Sequence, residues 1–421
     1  MAVTFFVFGS AYTQEILNLS LEEALEYAVD HNRNLANAGL AVDEAGERLR
    51  ETISQGLPQV SAAVDYNNFF GSTATLGAMP GMEIEFNPTS NLQLSVGQMI
   101  FSGSYIVGVR TARLFREVTE TSRERTGLEI RAQVTQSYYL ALVSEQSAQL
   151  VGANLENVKA IQKQTRAMVD AGVAEEVDYD QLTVQVNMLE NALRAAGRQV
   201  ELSHNMLRLQ MGLDVDVPVL LTDDLDGIVG RSDFGGSLLA PFNISENIDY
   251  KLVELQTGIA GQQVDMARAE YLPTITGFYN FTEKLLKPEF DITPNHVIGF
   301  NISIPIFSSG VRQSRVRQAR INLEIAENQK ALLTEQLSIQ ERQLRYNLNN
   351  AIEQYESQKE NVDVSRRVYQ NISNKYQQGM ASSLDLTTAN NNYLQAENSY
   401  ISALMQLLEA HVAMEKLLNE I

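Results

Sequence analysis

Apolar and polar positions along this chain keep two different periods, and the points where one period yields to the other divide it into elements. Ser20-Leu-Glu-Glu23 has the form of a helix capping box, and apolar residues then recur at helical spacing through Leu25, Val29, Leu35 and Leu40. The pattern predicts one helix running to about Gln55, where Gly56 and Pro58 stop it. The period then becomes two. Leu92, Leu94 and Val96 alternate with Gln93 and Ser95, and Ile298, Phe300, Ile302, Ile304 and Ile306 alternate with Gly299, Asn301, Ser303 and Pro305. Each run makes a strand with one greasy face and one polar or small face. Long helical stretches follow the strands. There is no proline between Thr89 and Val217, and from Ile306 to Ile421 there is none either, with Gly310 and Gly379 as the sole glycines. A helix over residues 311–378 would be on the order of 100 Å long at 1.5 Å per residue. Its apolar residues, among them Ile321, Ile325, Leu337, Leu348 and Tyr355, keep helical spacing while Gln, Asn and Ser fill much of the rest. Such a helix packs on neighbours with one side and meets water with another.

The elements come twice. Gln55-Gly-Leu-Pro58 and its following strand match Glu270-Tyr-Leu-Pro273 and its strand, and Met99-Ile-Phe-Ser-Gly103 matches Ile306-Phe-Ser-Ser-Gly310. Arg110 and Arg113 fall opposite Arg317 and Arg320, and Gly172 to Asp178 falls opposite Gly379 to Asp385. Landmarks in one order at an offset near 207 residues mark an internal duplication. The offset drops from 215 at the prolines to 207 at the glycines, and the second copy is expected to carry the longer strand connection, within residues 280–297. The resulting organisation is an N-terminal segment 1–18, a first repeat 19–217, a linker 218–245 and a second repeat 246–421. The first repeat holds strands at about 59–70 and 91–101 and long helices at about 104–171 and 176–212. The second holds strands at about 274–284 and 296–307 and long helices at about 311–378 and 383–419.

Nine of the fifteen phenylalanines (69, 70, 86, 101, 278, 281, 290, 300 and 307) lie in or beside the strand pairs, and none follows Phe307. Greasy-faced strands with aromatics toward their ends carry the signature of a membrane β-barrel. Four strands cannot close one, and lipid does not tolerate an open edge, so several chains would have to share a barrel; three would give twelve strands. A four-stranded sheet folded over a soluble core fits the same alternation.

Composition narrows the function. With 52 acidic against 32 basic residues the chain carries a formal charge of −20, which disfavours nucleic acid. The absence of cysteine removes disulfides, thiolate zinc sites, iron-sulfur clusters and cysteine nucleophiles. Histidines 31, 204, 296 and 411 form no metal-spaced pair, and no phosphate-binding glycine loop occurs, so neither a metal nor a cofactor is expected and energy must come from a partner. No nucleophile, base and oxyanion constellation emerges either, and the chain is not read as an enzyme. The apolar opening, Ala2-Val-Thr-Phe-Phe-Val-Phe-Gly-Ser-Ala11, reads as the remnant of a signal peptide, with a buried N-terminal strand as the alternative.

The motifs together resemble the TolC-type outer-membrane efflux ducts, over nearly everything from Leu19 to Leu418. The resemblance rests on Leu19-Ser-Leu-Glu-Glu-Ala-Leu-Glu-Tyr-Ala-Val-Asp-His-Asn32, the Leu-Pro strand entries, the Phe-Ser-Gly and Phe-Ser-Ser-Gly exits and the two Gly-x5-Asp turns. It implies a mainly helical fold with membrane β structure. Long antiparallel helical hairpins would form an α-barrel tunnel, and four strands per protomer would enter a shared twelve-stranded barrel in the bacterial outer membrane of a homotrimer. It implies passive export, with opening when a periplasmic adaptor and an inner-membrane pump dock. By the same resemblance the adaptor meets the tips at Gly172, Val173, Gly379 and Met380. Asp385 would form a carboxylate ring at the constriction, while the place of a second acidic ring falls at Thr388, so that ring would be missing here. Asp178 and Tyr376 match gate residues, but the gating arginine's position is Ala381. A periplasmic coiled-coil scaffold or adaptor without a pore is the competing function.

The same residues also have local explanations. Helices commonly end on a left-handed glycine, and Ser382 with Asp385 has the form of a capping box. Arg312, Arg315, Arg317 and Arg320 open a helix, where positive charge opposes the dipole. They are expected to pair with acids on adjacent helices or to meet lipid headgroups.

Overall fold

A computed structural model of the chain describes residues 16–75, 83–287 and 293–421. The expected leader remnant lies outside these residues up to position 15, as does Phe290 of the aromatic group. Strand β1 (Leu17–Leu19) comes first, and the Ser20 capping box then opens α1 (Leu21–His31). The single helix expected through Gln55 is in fact two, because α2 (Arg33–Ser54) starts anew after Asn32. Asn32 is buried and extended (φ −67°, ψ 123°), and its Oδ1 accepts from the N–H groups of Asn34 and Leu35 while its Nδ2 donates to the Gln210 carbonyl at 2.6 Å. A side chain that caps the following helix outcompetes the continuing one, and the apolar spacing on either side conceals the break.

The strands follow as β2 (Gln59–Asn67), the short pair β3 (Thr73–Thr75) and β4 (Glu83–Glu85), and β5 (Thr89–Ser102). Two helices come next, α3 (Gly103–Asp170) and α4 (Glu176–Met211), then β6 (Val219–Leu221), paired parallel with β1. The interval expected as a linker holds α5 (Leu225–Arg231) and α6 (Phe234–Leu239). The second series is α7 (Ile248–Ala269), β7 (Thr274–Leu286), β8 (His296–Ser303), α8 (Val311–Gln377) and α9 (Ser383–Leu418). The longer strand connection belongs to the first copy, which places residues 68–88 between β2 and β5, against 287–295 between β7 and β8. A falling offset means residues lost from the second copy, so the expectation had the sign reversed. Strand β8 also stops short of the expected 307. Its partner β7 begins after Pro273 and pairs Thr274 with Ser303, and Pro305 has no N–H to extend the ladder.

The four main strands form one antiparallel sheet in the order β2-β5-β7-β8. Its register puts Val60, Ala62 and Val64 beside Val96, Leu94 and Leu92; Val96 and Leu94 lie beside Tyr279 and Phe281; Tyr279 and Ile275 lie beside Ile298 and Ile302. Directly opposed residues share a face, so the greasy alternation of each strand adds into one apolar surface across the sheet. That surface is open: Val60, Val64, Ile298, Phe300 and Ile302 are all exposed, Ile298 by 80%. The other face carries Ser61, Asp65, Gln93, Ser95, Asn280, Thr282, Asn301 and Ser303. Strands β2 and β8 are its edges.

The chain divides into two compact units that cut across the duplication. The first takes residues 1–39, 123–248 and 334–421, and the second 40–122 and 249–333. Each therefore draws on both copies. The charge divides unevenly: the second unit holds 14 basic and 18 acidic residues, leaving the first 18 of the 32 basic and 34 of the 52 acidic.

The first unit's main core gathers Tyr138, Leu207, Met211, Leu348, Leu404, Leu407, Leu408, Val412 and Met414. Tyr138 is fully buried, and its hydroxyl lies 3.0 Å from both the Leu19 carbonyl and Asp223 Oδ2. Asp223 in turn accepts from the Leu21 N–H at 2.8 Å and pairs with Arg231 at 2.6 Å, which fixes β1 and the start of α1 against α3. At the edge of this core His411 Nδ1 lies 3.6 Å from Glu415 Oε2. The contact is not a charge pair: burial pushes the imidazole down and pushes the Glu415 carboxyl up to about 7, so each group resists ionising. A raised carboxyl pKa gives stability that is complete below the unfolded value of 4.5 and is lost as pH rises through about 7. Glu415→Gln is therefore expected to raise the unfolding temperature at pH 8, by about 2 kcal/mol of stability, and to leave it unchanged at pH 4, as followed by thermal melts monitored by circular dichroism.

Candidate functional site

The two turns that close the long helical hairpins have the same construction, 207 residues apart. Helix α3 ends with Gly172 N–H on the Val169 carbonyl at 2.9 Å and Val173 N–H on the Met168 carbonyl at 2.9 Å. Helix α8 ends with Gly379 N–H on the Tyr376 carbonyl at 2.9 Å and Met380 N–H on the Lys375 carbonyl at 2.8 Å. These are paired Schellman closures, and each needs a left-handed residue, supplied by Gly172 (φ 72°) and Gly379 (φ 71°). No other residue type adopts that conformation as cheaply. The residues after the glycines, Val173 and Met380, are 71% and 64% exposed, so the usual apolar contact of such a closure is not made. Four positions on, Val177 and Leu384 are exposed as well. Single-sequence reading passed over this second matched pair, although the same offset relates the two residues.

The helices that leave the turns are capped by carboxylates. Asp385 Oδ2 accepts from the Ser382 hydroxyl at 2.7 Å and from its N–H at 3.1 Å, and the Ser382 hydroxyl accepts from the Asp385 N–H. Those hydrogen bonds hold the exposed Asp385 carboxyl below the usual carboxylate range. Asp178 takes the matching place in the first hairpin, its Oδ2 accepting from the Glu175 N–H at 3.2 Å. Its other oxygen reaches the second hairpin, where it accepts from the Ser383 hydroxyl, whose oxygen also lies 3.1 Å from Gln181 Oε1. Tyr376 makes a second link between hairpins. Its buried hydroxyl lies 2.8 Å from Thr165 Oγ1, and burial, reinforced by the charge of Asp178, pushes the phenol up. Around it pack Leu155, Val158, Ile161, Leu182, Leu386 and Ala389.

The structure thus joins Asp178 and Tyr376 to partners in the opposite hairpin and keeps Asp385 on a local cap. Thr388 is exposed one turn beyond Asp385, and Ala381 packs against the apolar cluster. An arginine does sit at the turn: Arg166 pairs with Glu176 at 2.8 Å and Asp170 at 3.2 Å and lies over the Tyr179 ring, all within the first hairpin. Ser383 and Thr165, the acceptors or donors that complete the links, carried no sequence signal. The position matching Ser383 in the first copy is Glu176.

The arrangement holds two hairpin ends together by hydrogen bonds and carries no catalytic constellation among the described residues, nor any cluster of His, Cys, Asp and Glu suited to a metal. Several solved structures share the whole fold. The outer membrane protein VceC from Vibrio cholerae superposes with a TM-score of 0.76 at 17% identity, over 94% of this chain and 95% of that one. The Campylobacter jejuni CmeC outer membrane channel gives 0.77 at 16% identity, over 100% and 94%, and the open state of the Neisseria gonorrhoeae MtrE channel gives 0.75 at 17%, over 99% and 95%. No individual curated protein matches in sequence. The sequence profile of outer membrane efflux proteins, however, matches residues 24–213 and again 246–420, one match for each copy of the duplicated unit. By that double match the chain belongs to the outer membrane efflux protein family.

Proposed function

We propose that three copies of the chain assemble into an outer-membrane exit duct. The observation that carries this reading is the open sheet β2-β5-β7-β8, apolar on one exposed face, polar on the other, and unpaired at both edges. In lipid every edge N–H and C=O needs a partner, and a barrel closed by three such sheets supplies them while turning the polar faces inward. The tunnel helices extend into the periplasm, where an adaptor docks on Gly172, Val173, Gly379 and Met380, together with the matched Val177 and Leu384. Exposed apolar side chains on a rigid turn are suited to insertion into a partner's pockets. An inner-membrane pump supplies the energy, and substrate moves passively.

At the constriction the Asp385 carboxylates of three copies form a ring. Exposed, and held below the usual carboxylate range by the Ser382 hydrogen bonds, each of these carboxyls is charged at neutral pH. Thr388 adds an uncharged ring one turn away, and Ala381 supplies no guanidinium, so closure depends on the Asp178–Ser383 and Tyr376–Thr165 links rather than on an arginine.

Membrane fractions from cells expressing the chain are expected to retain it through alkaline washing, and detergent particles to contain a protein mass three times 46.9 kDa by light scattering. Release of a monomer without detergent would instead support the periplasmic scaffold. In planar bilayers Asp385→Asn is expected to weaken block by multivalent cations by an order of magnitude or so, the effect of removing a ring of like charges at short range; equal block in both proteins removes Asp385 from the constriction. Ser383→Ala combined with Tyr376→Phe removes two links worth about 1 kcal/mol each, and is expected to shift the closed-to-open ratio about thirtyfold toward open. Unchanged conductance would show that these links do not close the duct.

A further inference from the structure

Four arginines at matched places in the second unit have no partner among the described residues. Arg110 and Arg113 lie in the first turns of α3, and Arg317 and Arg320 in those of α8, each pair 207 residues from the other. All four are exposed, and none makes a hydrogen bond, an ion pair or a ring contact among the described residues. Their neighbours behave differently. Arg312 is buried, donates to the Pro305 carbonyl at 2.8 Å and to Ser308 Oγ at 3.0 Å, and lies over the Tyr271 ring; Arg315 pairs with Glu270 at 2.7 Å. The protein thus satisfies two of the four basic residues that open α8 and leaves the same two that the first copy also leaves.

Their surroundings follow a fixed order along both helices. No acidic residue occurs in residues 86–116 or 292–323. Exposed apolar residues end the sheet side, with Ile100 and Ile106 in one copy and Ile304, Ile306, Phe307 and Val311 in the other. The arginines follow within about two turns, and the first acids, Glu117 and Glu324, come seven residues after Arg110 and Arg317. Apolar, then purely basic, then acidic is the charge sequence of a surface crossing from hydrocarbon through headgroups to water. In a chain of net charge −20, both stretches of sequence keep this band free of acid, and Glu270, which reaches it from the end of α7, is taken up by Arg315.

We propose that Arg110, Arg113, Arg317 and Arg320 bind the phosphates of anionic phospholipid headgroups in the periplasmic leaflet, forming a basic collar at the foot of the apolar sheet. This rests on the outer-membrane reading above. In both copies the exposed apolar run at the end of the strand leads along the chain into the collar, and a guanidinium takes a phosphate through two parallel hydrogen bonds while its stem lies along apolar surface.

The test is to reconstitute the purified assembly in vesicles of phosphatidylethanolamine with a minor fraction of phosphatidylglycerol, extract it gently and measure the lipid it retains by native mass spectrometry. The native protein is expected to hold phosphatidylglycerol about fivefold enriched over the bulk, and high salt applied to the same protein is expected to remove the preference. The R110Q/R113Q/R317Q/R320Q variant is expected to retain lipid without enrichment. Undiminished enrichment in that variant overturns the proposal. So does a variant that falls apart into monomers with its enrichment intact, which would assign the arginines to a neighbouring copy, or one whose anion-to-cation permeability changes while lipid preference stays, which would assign them to the lumen. Inorganic phosphate that abolishes the enrichment at constant ionic strength would make free phosphate the ligand and overturn the lipid assignment. Failure of the native chain to enter vesicles at all overturns the duct itself, and is distinguished by flotation of the vesicles before extraction.

Discussion

A sheet that exposes an apolar face and leaves both edges unpaired sets the terms for the rest of this molecule. Backbone N–H and C=O groups along β2 and β8 cannot be left bare in hydrocarbon, and no further strand pairs with them among the described residues. The alternation in the four strands agrees over most of the three ladders, apolar residues facing apolar or small ones and polar facing polar or small, with exceptions toward one end at Leu92–Glu283, Asn280–Val297 and Phe281–His296. A sheet with such sidedness is stable only where one side meets lipid or a core and the other meets water. Strands β5 and β8 run in the same direction, so their exits at Ser102 and Ser303 and the helix starts at Gly103 and Val311 lie at one end of the sheet.

Period and punctuation made most of this legible without coordinates. The proline-free intervals, the alternating runs and the repeated Gly-x5-Asp turns locate helices α3, α4, α8 and α9, the four main strands and the two left-handed glycines. What escaped depends on contacts distant in sequence. Asn32 breaks a helix because its side chain finds the Gln210 carbonyl and two N–H groups, and the spacing of Val29 and Leu35 runs through the break unaltered. Strand β8 ends where its partner runs out and Pro305 intervenes, although its alternation continues to Ile306. The strand connections were assigned the wrong relative lengths from an offset whose sign alone decides the matter.

The candidate site was legible in a different proportion. Gly172, Gly379, Asp178, Asp385 and Tyr376 all fall at or beside the turns, yet what each does locally comes from its partners. Ser383 and Thr165 are ordinary helix residues by sequence, and they become links only because the two hairpins bring them to Asp178 and Tyr376. The turns also show how a duplicated unit diverges: the backbone closures have stayed alike, while the residues matched to one another at positions 176 and 383 differ in charge and in the hairpin they serve.

The two compact units each contain segments from both copies, so neither copy holds a complete core of its own. Leu207 and Met211 from the first copy are buried together with Leu348, Leu404 and Leu408 from the second. A gene severed between the copies would therefore encode two halves with stranded apolar faces, each dependent on meeting the other during synthesis. Fusion of the two into one reading frame removes that encounter, and it lets the halves drift apart in sequence, as the unequal strand connections have done, without losing their mutual fit.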